Sequence, residues 1–496
     1  MAATFRGVVE KLVYSGRGLV RSPEHGIVFL SNVVPQEEVS YVLCKTLKRF
    51  SNGMVTALHT TAADRTVPQC LHYGKCGGCQ LQHLQYGSQV ATKKRWIEES
   101  FERIARMSVP DFDVVPAPAP FAYRTKVRLS ISRDPANARQ VQIGYVSTES
   151  DVPSQPPSPS RVSNDRMTAH REIVQVTECP IFEGRDDFGR VVSVLREAFS
   201  AVDWSAIEAC RPSSKSTHHQ RNTIGDVLLF SALHSKQNLS CIITVRCQKG
   251  LENVWSRLQQ RVSTELPGCE VTVHRANHDP SSLQHARGTW EVLLGTPSAS
   301  DTLHITYSKS SFVQVLPELA ETIYRDIVDA VLEQYDQQGY RGCVLDLYGG
   351  IGIVGLWLAK HQLVCHSVEL DRVLVDCARE NAKNNNVHNA TFHAMSVEDF
   401  MNDNSKASTI LSSACVAVLN PPRSGLSDIV RKQLAGCSNI RTVVYMSCDP
   451  ATLARDVASL FDLGSFQCKS LRAYDMFPQT THVETVAILE RQVHTV

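Results

Sequence analysis

No run of about 18 apolar residues occurs anywhere in the chain, so a membrane-spanning helix is not expected. The opening MAATFRGVVEKL lacks the apolar stretch of a secretory signal and passes straight into strand-like sequence. There is little charge imbalance: 51 Lys and Arg face 50 Asp and Glu, a net charge of +1. No internal repeat is present, which sets aside solenoids and propellers. Together these absences predict a soluble protein of a reducing compartment, cytoplasm or organelle, with no membrane partner. Cysteine, by contrast, is plentiful, with 16 residues. Without a secretion signal a disulfide framework is not expected, and most cysteines, such as Cys241, Cys343 and Cys365, sit in apolar runs as small core residues. At 496 residues the chain is too long for one compact domain, and 43% hydrophobic content supplies more than one core.

The near-zero net charge hides an asymmetry. Residues 1–150 hold 19 Lys and Arg against 12 Asp and Glu, a local charge of +7. A basic amino-terminal third suggests a polyanion partner, although a merely solvated surface would look the same. Residues 1–62 read as about five short strands broken by turns, a small barrel of the oligonucleotide-binding type. Residues 63–305 read as a central α+β domain with a Cys- and Gly-rich loop, a helix over 89–106, strands at 123–132 and 140–146, and a Pro/Ser-rich loop at 150–170. Its later part carries no clear motif. From 306 to 496 strand and helix signals alternate, which predicts a Rossmann-like, doubly wound α/β domain opened by an amphipathic helix at Pro317.

Within that domain Asp346-Leu-Tyr348-Gly349-Gly350-Ile-Gly352 follows an apolar strand and precedes a helix, Ile353–Lys360. The glycines permit a tight turn and close approach of backbone to a ligand. The next strand ends in Glu369, placed to accept hydrogen bonds from ribose hydroxyls. A dinucleotide site shares this layout, but a buried carboxylate at Asp346 would repel a pyrophosphate and favours an adenosylmethionine-type ligand. Two later strand ends carry Asn420-Pro421-Pro422-Arg423 and Ser447-Cys448-Asp449-Pro450. Ligands in open α/β sheets sit outside the carboxyl ends of strands, so Cys448 is placed to react. The positive end of the helix that follows is expected to lower its pKa. Separately, Cys70, Cys76 and Cys79 have the spacing C-x5-C-x2-C of a thiolate-rich metal loop. A fourth thiolate would suit zinc or an iron–sulfur cube equally.

These motifs resemble those of the RNA uracil-5-methyltransferases. The resemblance is carried by SFVQV at 311–315, LDLYGGIG at 345–352, NPPRSGL at 420–426, SCDPATLARD at 447–456 and DMFPQTTHVET at 475–485. The barrel is similar to the small RNA-binding TRAM domain, and CGGCQLQH at 76–83 resembles the iron–sulfur subgroup that includes the bacterial large-subunit ribosomal RNA enzyme. The resemblance implies that Cys448 attacks carbon 6 of uracil and Glu484 later removes the proton from carbon 5. It implies that Gln314, Tyr348 and Glu369, beside Asp346 and Gly350, contact S-adenosylmethionine, and that Asn420 hydrogen-bonds the flipped base. It also implies that Cys179 completes a 4Fe-4S cluster with Cys70, Cys76 and Cys79. Three positions depart from the family: Asn420 stands where Asp is usual, and Asp449 and Leu316 where Asn is usual.

The residue types suit that chemistry. Carbon 5 of uracil is a poor nucleophile until a thiolate adds at carbon 6, and a base must then strip its proton so that the thiol can leave. The target base must leave its stack first, so single-stranded or looped RNA is the expected partner, ribosomal RNA ahead of transfer RNA, bound by a monomer. Lys93, Lys94, Arg95, Arg124, Lys126 and Arg128 are expected to hold flanking phosphates. Two other readings stand beside this one. NPPR could mark transfer to an exocyclic amine, which would leave Cys448 and Glu484 without tasks, or the chain could be a non-catalytic RNA-binding protein.

Overall fold

The computed structural model describes residues 3–492 apart from 134–139, 148–172, 203–222, 233–234, 246–251, 268–269, 276–286, 294–301, 309–312, 404–405 and 465. The loop expected at 150–170 lies outside the described residues. The chain divides into two compact units. One holds Met1–Gln89, Ala119–Ser282 and Pro478–Thr481; the other holds Val90–Pro118, Leu283–Phe477 and His482–Val496.

The first unit opens with strands β1 (Thr4–Leu12), β2 (Gly18–Ser22), β3 (Gly26–Leu30), β4 (Glu38–Thr46) and β5 (Ser51–Leu58), which close into a barrel of order β1-β2-β3-β5-β4. Their alternating apolar positions turn Val9, Val20, Val28, Leu30, Val39 and Tyr41 into one small core. Helix α1 (Tyr86–Ser100) follows and ends in a π-helical turn, Phe101–Ala105, closed by Arg106 in the left-handed region. The short strand β6 (Val114–Val115) belongs to the second unit. The first unit resumes with β7 (Lys126–Arg133), β8 (Val141–Val146), β9 (Ile173–Gln175), α2 (Arg185–Ser200), β10 (Thr223–Ala232), β11 (Ser235–Val245), α3 (Glu252–Glu265) and β12 (Glu270–Arg275). These strands form a six-stranded sheet of order β12-β11-β10-β7-β8-β9, against which α2 and α3 pack.

The second unit takes up the hairpin of β13 (Arg287–Leu293) and β14 (Thr302–Ser308), then α4 (Pro317–Gln337), whose Leu319, Ile323, Ile327 and Val331 are buried as their spacing predicts. An α/β run follows: β15 (Cys343–Leu347), α5 (Ile353–Lys360), β16 (Cys365–Glu369), α6 (Arg372–Asn384), β17 (Ala390–Ala394), α7 (Val397–Asn402), α8 (Lys406–Ser413), β18 (Ala414–Leu419), α9 (Asp428–Gly436), β19 (Thr442–Ser447) and α10 (Pro450–Asp462). Strands β20 (Phe466–Tyr474) and β21 (Glu484–Arg491) complete an eight-stranded sheet of order β17-β16-β15-β18-β19-β21-β20-β6. Strands β15 to β19 are mutually parallel and β21 runs antiparallel to its neighbours. Strand order reverses between β15 and β18, and a crevice is expected at such a switch point.

Two expected boundaries differ. The hairpin β13–β14 groups with the second unit, where Asn381 of α6 and Asn385, which caps its C-terminus, accept hydrogen bonds from the backbone N–H groups of Thr306 and His304 at 2.7 and 2.8 Å. The segment 90–118, placed in the central domain by chain order, also groups there, with Ile97, Phe101 and Phe112 in the core of the large sheet.

Candidate active site

A cleft of about 860 Å³ opens at the switch point, and all eight residues expected at the reaction and cofactor sites line it. The turn after β15 is compact because Gly349 has no side chain: a Cβ there would lie 2.1 Å from Ser367 Oγ and 2.6 Å from Asp346 Oδ2. Tyr348 sits at φ 63°, a left-handed conformation that costs about 1–3 kcal/mol and marks a constrained site. Asp346 is buried beneath this turn, accepting from Ser367 Oγ at 3.0 Å, and burial lifts its pKa to about 6. It therefore braces the glycine turn from below. Glu369, at the end of β16, accepts from the backbone N–H of Gly350 at 3.1 Å and of Asp371 at 2.9 Å, which aims its carboxylate at the rim. Gln314 is 4% exposed, and its Oε1 has no hydrogen-bond partner among the described residues. A buried acceptor left open in a cleft fits a ligand that brings a donor.

The other half of the cleft carries the reactive groups. Asn420, just past β18, is exposed and ties its backbone N–H to Leu347 O at 3.2 Å. Cys448 lies half-buried between β19 and α10, and Glu484 opens β21 at 4% exposure. Burial lifts the Glu484 carboxyl to about 7, opposed by Arg423. The Cys448 thiol is pushed up to about 11 by burial and then by repulsion from Glu484, with Arg423 acting the other way. The expected lowering by the helix end is thus overturned. Asp449 occupies the N-cap of α10, its carboxylate accepting from Thr452 N–H at 2.9 Å, and its charge adds to the upward push on the thiol. An Asp serves this cap as well as an Asn. Leu316 is 4% exposed at the N-cap of α4 and makes no side-chain cap.

Three participants escaped the sequence reading. Arg423 is a cation whose charge acts on both reactive groups, and its Nη2 lies 3.2 Å from His482 Nε2. Tyr324 of α4 lines the same cleft, its pKa raised by burial and by Glu484 and Asp346. Phe477 lines it too, edge-on to His482 at 5.8 Å. Arg423 and Phe477 lie inside the quoted motifs, so a signal existed; nothing in sequence marks Tyr324.

The basic stretch 93–128 behaves differently from expectation. Lys93 is 0% exposed and paired with Asp475 at 2.5 Å, so it is not offered to phosphate. It shares the inner face of α1 with Trp96 and Ile97, three and four residues on. Lys94 pairs with Asp111 at 2.9 Å, and burial brings Lys126 down to about 7. Arg124 lies on the cysteine pocket. Only Arg95 and Arg128 of the six are exposed.

In the first unit, Cys70, Cys76, Cys79 and Cys179 line one pocket of about 30 Å³ with Tyr145 and Arg124. Burial pushes the Cys76 and Cys79 thiols up to about 12, and the Tyr145 hydroxyl lies 3.5 Å from Cys179 Sγ. Among the described residues, however, no three or more His, Cys, Asp or Glu side chains are grouped closely enough to hold a metal ion. The pocket holds the expected donor set without a preassembled metal centre. No helix among the described residues is long and apolar enough to cross a membrane.

Comparison with known proteins agrees with this geometry. The family described as tRNA (Uracil-5-)-methyltransferase matches residues 215–492. An uncharacterized RNA methyltransferase of Listeria innocua is 27% identical over 97% of this chain and 96% of its own length, and one of Clostridium acetobutylicum is 28% identical over 94% and 92%. Among solved structures, the tRNA (uracil-54, C5)-methyltransferase of Pyrococcus abyssi, in complex with S-adenosyl-L-homocysteine, shares the fold at TM-score 0.62 and 21% identity, covering 98% of this chain and all of that one.

Proposed function

Because the chain belongs to the tRNA (uracil-5-)-methyltransferase family, we propose that it forms 5-methyluridine in RNA, with Cys448 as nucleophile, Glu484 as base and S-adenosylmethionine as methyl donor. The observation that carries this reading is the convergence of Cys448, Glu484, Gln314, Asp346, Tyr348, Gly350, Glu369 and Asn420 on one cleft. Bound S-adenosylmethionine supplies an electrophilic methyl group. Glu369 would accept from its ribose hydroxyls and Gln314 Oε1 from a donor it brings, with Tyr348 and the glycine turn, braced by Asp346, as wall residues.

Cys448 gives up its thiol proton to water, its Sγ adds to carbon 6 of the flipped uracil, and the ring's C5–C6 electron pair moves onto carbon 5 and the ring carbonyl. Asn420 steadies the ring through its amide, without the charge of the usual Asp. Arg423 favours the anionic forms of both Cys448 and Glu484. After methyl transfer Glu484 takes the carbon 5 proton, and the pair left behind expels the Cys448 thiolate. A carboxyl near 7 is matched to this task at neutral pH.

RNA is held by the barrel on this reading. Arg17 stacks over the Phe29 ring at 5.1 Å, Phe29 and Phe50 pack edge-on at 5.3 Å, and Lys45, Lys48 and Arg49 are exposed around the β4–β5 turn. The four pocket cysteines are proposed as ligands of a 4Fe-4S cluster that supports this fold, since methyl transfer moves no net electrons. Ribosomal RNA follows from the resemblance of the cysteine loop, and transfer RNA from the family's description.

Incubating the protein and S-adenosylmethionine with RNA from cells lacking it, then analysing nucleosides by mass spectrometry, tests the reading. It predicts 5-methyluridine, lost with Cys448→Ala. Methyl groups on exocyclic amines, or none on any RNA, would contradict it.

A further inference from the structure

Gln89 and Lys93 stand one turn apart on the buried face of α1, at 1% and 0% exposure. Gln89 grips Gln479 in both directions: Gln479 N–H donates to Gln89 Oε1 at 3.0 Å, and Gln89 Nε2 donates to Gln479 Oε1 at 2.9 Å. The same Nε2 also donates to the carbonyls of Leu81 and Leu84 at 3.1 and 2.8 Å. Lys93 Nζ donates to Asp475 Oδ1 at 2.5 Å and to the Phe477 carbonyl at 3.0 Å.

This is a costly way to hold two segments together. Asp475 Oδ2 is buried with no hydrogen-bond partner among the described residues. A buried ion pair adds little stability over apolar packing of the same volume, but it dictates where its partners lie. Those partners, Asp475, Phe477 and Gln479, fall within the ten residues that end at Glu484. Phe477 and Glu484 both line the cleft. No step of the proposed reaction uses Gln89 or Lys93 directly.

We propose that Lys93 is a positioning residue, which through Asp475 and the Phe477 carbonyl fixes the approach to β21 so that Glu484 reaches carbon 5 of the substrate ring. The inference rests on the reading of Glu484 as the base. It predicts that loss of the Lys93 side chain slows proton removal while leaving attack by Cys448 intact.

The test uses the full-length protein carrying Lys93→Met, or Lys93→Met together with Asp475→Asn, the latter leaving no unpaired charge at the buried pair. Circular dichroism and thermal melts establish the folded fraction. With unmodified RNA, kcat should fall about a hundredfold, the scale of a misplacement near 1 Å, and KM for RNA should fall with it, leaving kcat/KM close to the wild-type value. A covalent protein–RNA species should then accumulate, because the thiol cannot leave until the proton has gone. With 5-fluorouridine RNA the adduct should form at the wild-type rate, since it arises before the base acts. Wild-type turnover in the folded variants, or equal loss of adduct formation and turnover, would overturn the inference. Absence of any adduct from the wild-type protein would remove the reading of Cys448 and Glu484, and this inference with it.

Discussion

Glu484 places a carboxyl group in a fully buried position with Arg423 as the opposing charge, and its pKa rises from 4.5 to about 7. The folded value exceeds the unfolded one, so its stabilising contribution is complete below about 4.5 and is lost as pH rises through 7. Above that pH the ionised form costs on the order of 3 kcal/mol. Glu484→Gln should therefore raise the thermal midpoint at pH 8 and leave it almost unchanged at pH 4, as calorimetry at the two pH values would reveal. The same substitution removes the repulsion that helps hold Cys448 near 11, so iodoacetamide should alkylate this thiol faster at pH 8 than in the wild type. No change in rate would mean that burial alone sets the thiol. The motifs singled out Cys448 and Glu484, which line one cleft, but the shifts in their pKa values were not legible. Desolvation and the N-cap role of Asp449 exist only once α10 and β21 are folded.

Among elements, the loop after β18 and helix α10 are joined by Asp456, which is 0% exposed. Its carboxylate accepts from Leu426 N–H and Tyr445 Oη at 2.8 Å and from Arg431 Nη1 at 2.7 Å. Removing such an acceptor leaves buried donors unpaired, so Asp456→Ala should cost roughly 3–5 kcal/mol, read from urea unfolding, and loosen the loop bearing Arg423. Gly349→Ala drives a Cβ into Ser367 and Asp346 and should abolish binding of S-adenosylmethionine, measured calorimetrically. The buried strands β15, β16, β18 and β19 were legible because parallel strands covered on both faces read as apolar runs. Strand β20, FQCKSLRAY, gives no clear strand signal because it mixes charge with small apolar residues. The face presented by Lys93 was misread because a basic cluster does not reveal which side of a helix is buried.

At the scale of the whole molecule, the barrel and the doubly wound sheet could be read from local pattern, while the membership of 90–118 and of the hairpin β13–β14 could not. Grouping depends on contacts far apart in sequence, such as Asn381 and Asn385 with β14. If the four cysteines carry an iron–sulfur cluster, protein purified without oxygen should show broad visible absorption, lost with Cys79→Ser; a colourless zinc protein would refute that assignment. The central claim is that one sulfur bonds to the pyrimidine ring. Digesting the complex formed with 5-fluorouridine RNA and S-adenosylmethionine, then locating the nucleotide by tandem mass spectrometry, tests it most directly. The account predicts a single modified peptide with the nucleotide on Cys448, absent in Cys448→Ser. A cross-link at another residue, or methylated product from Cys448→Ser without any adduct, would contradict it.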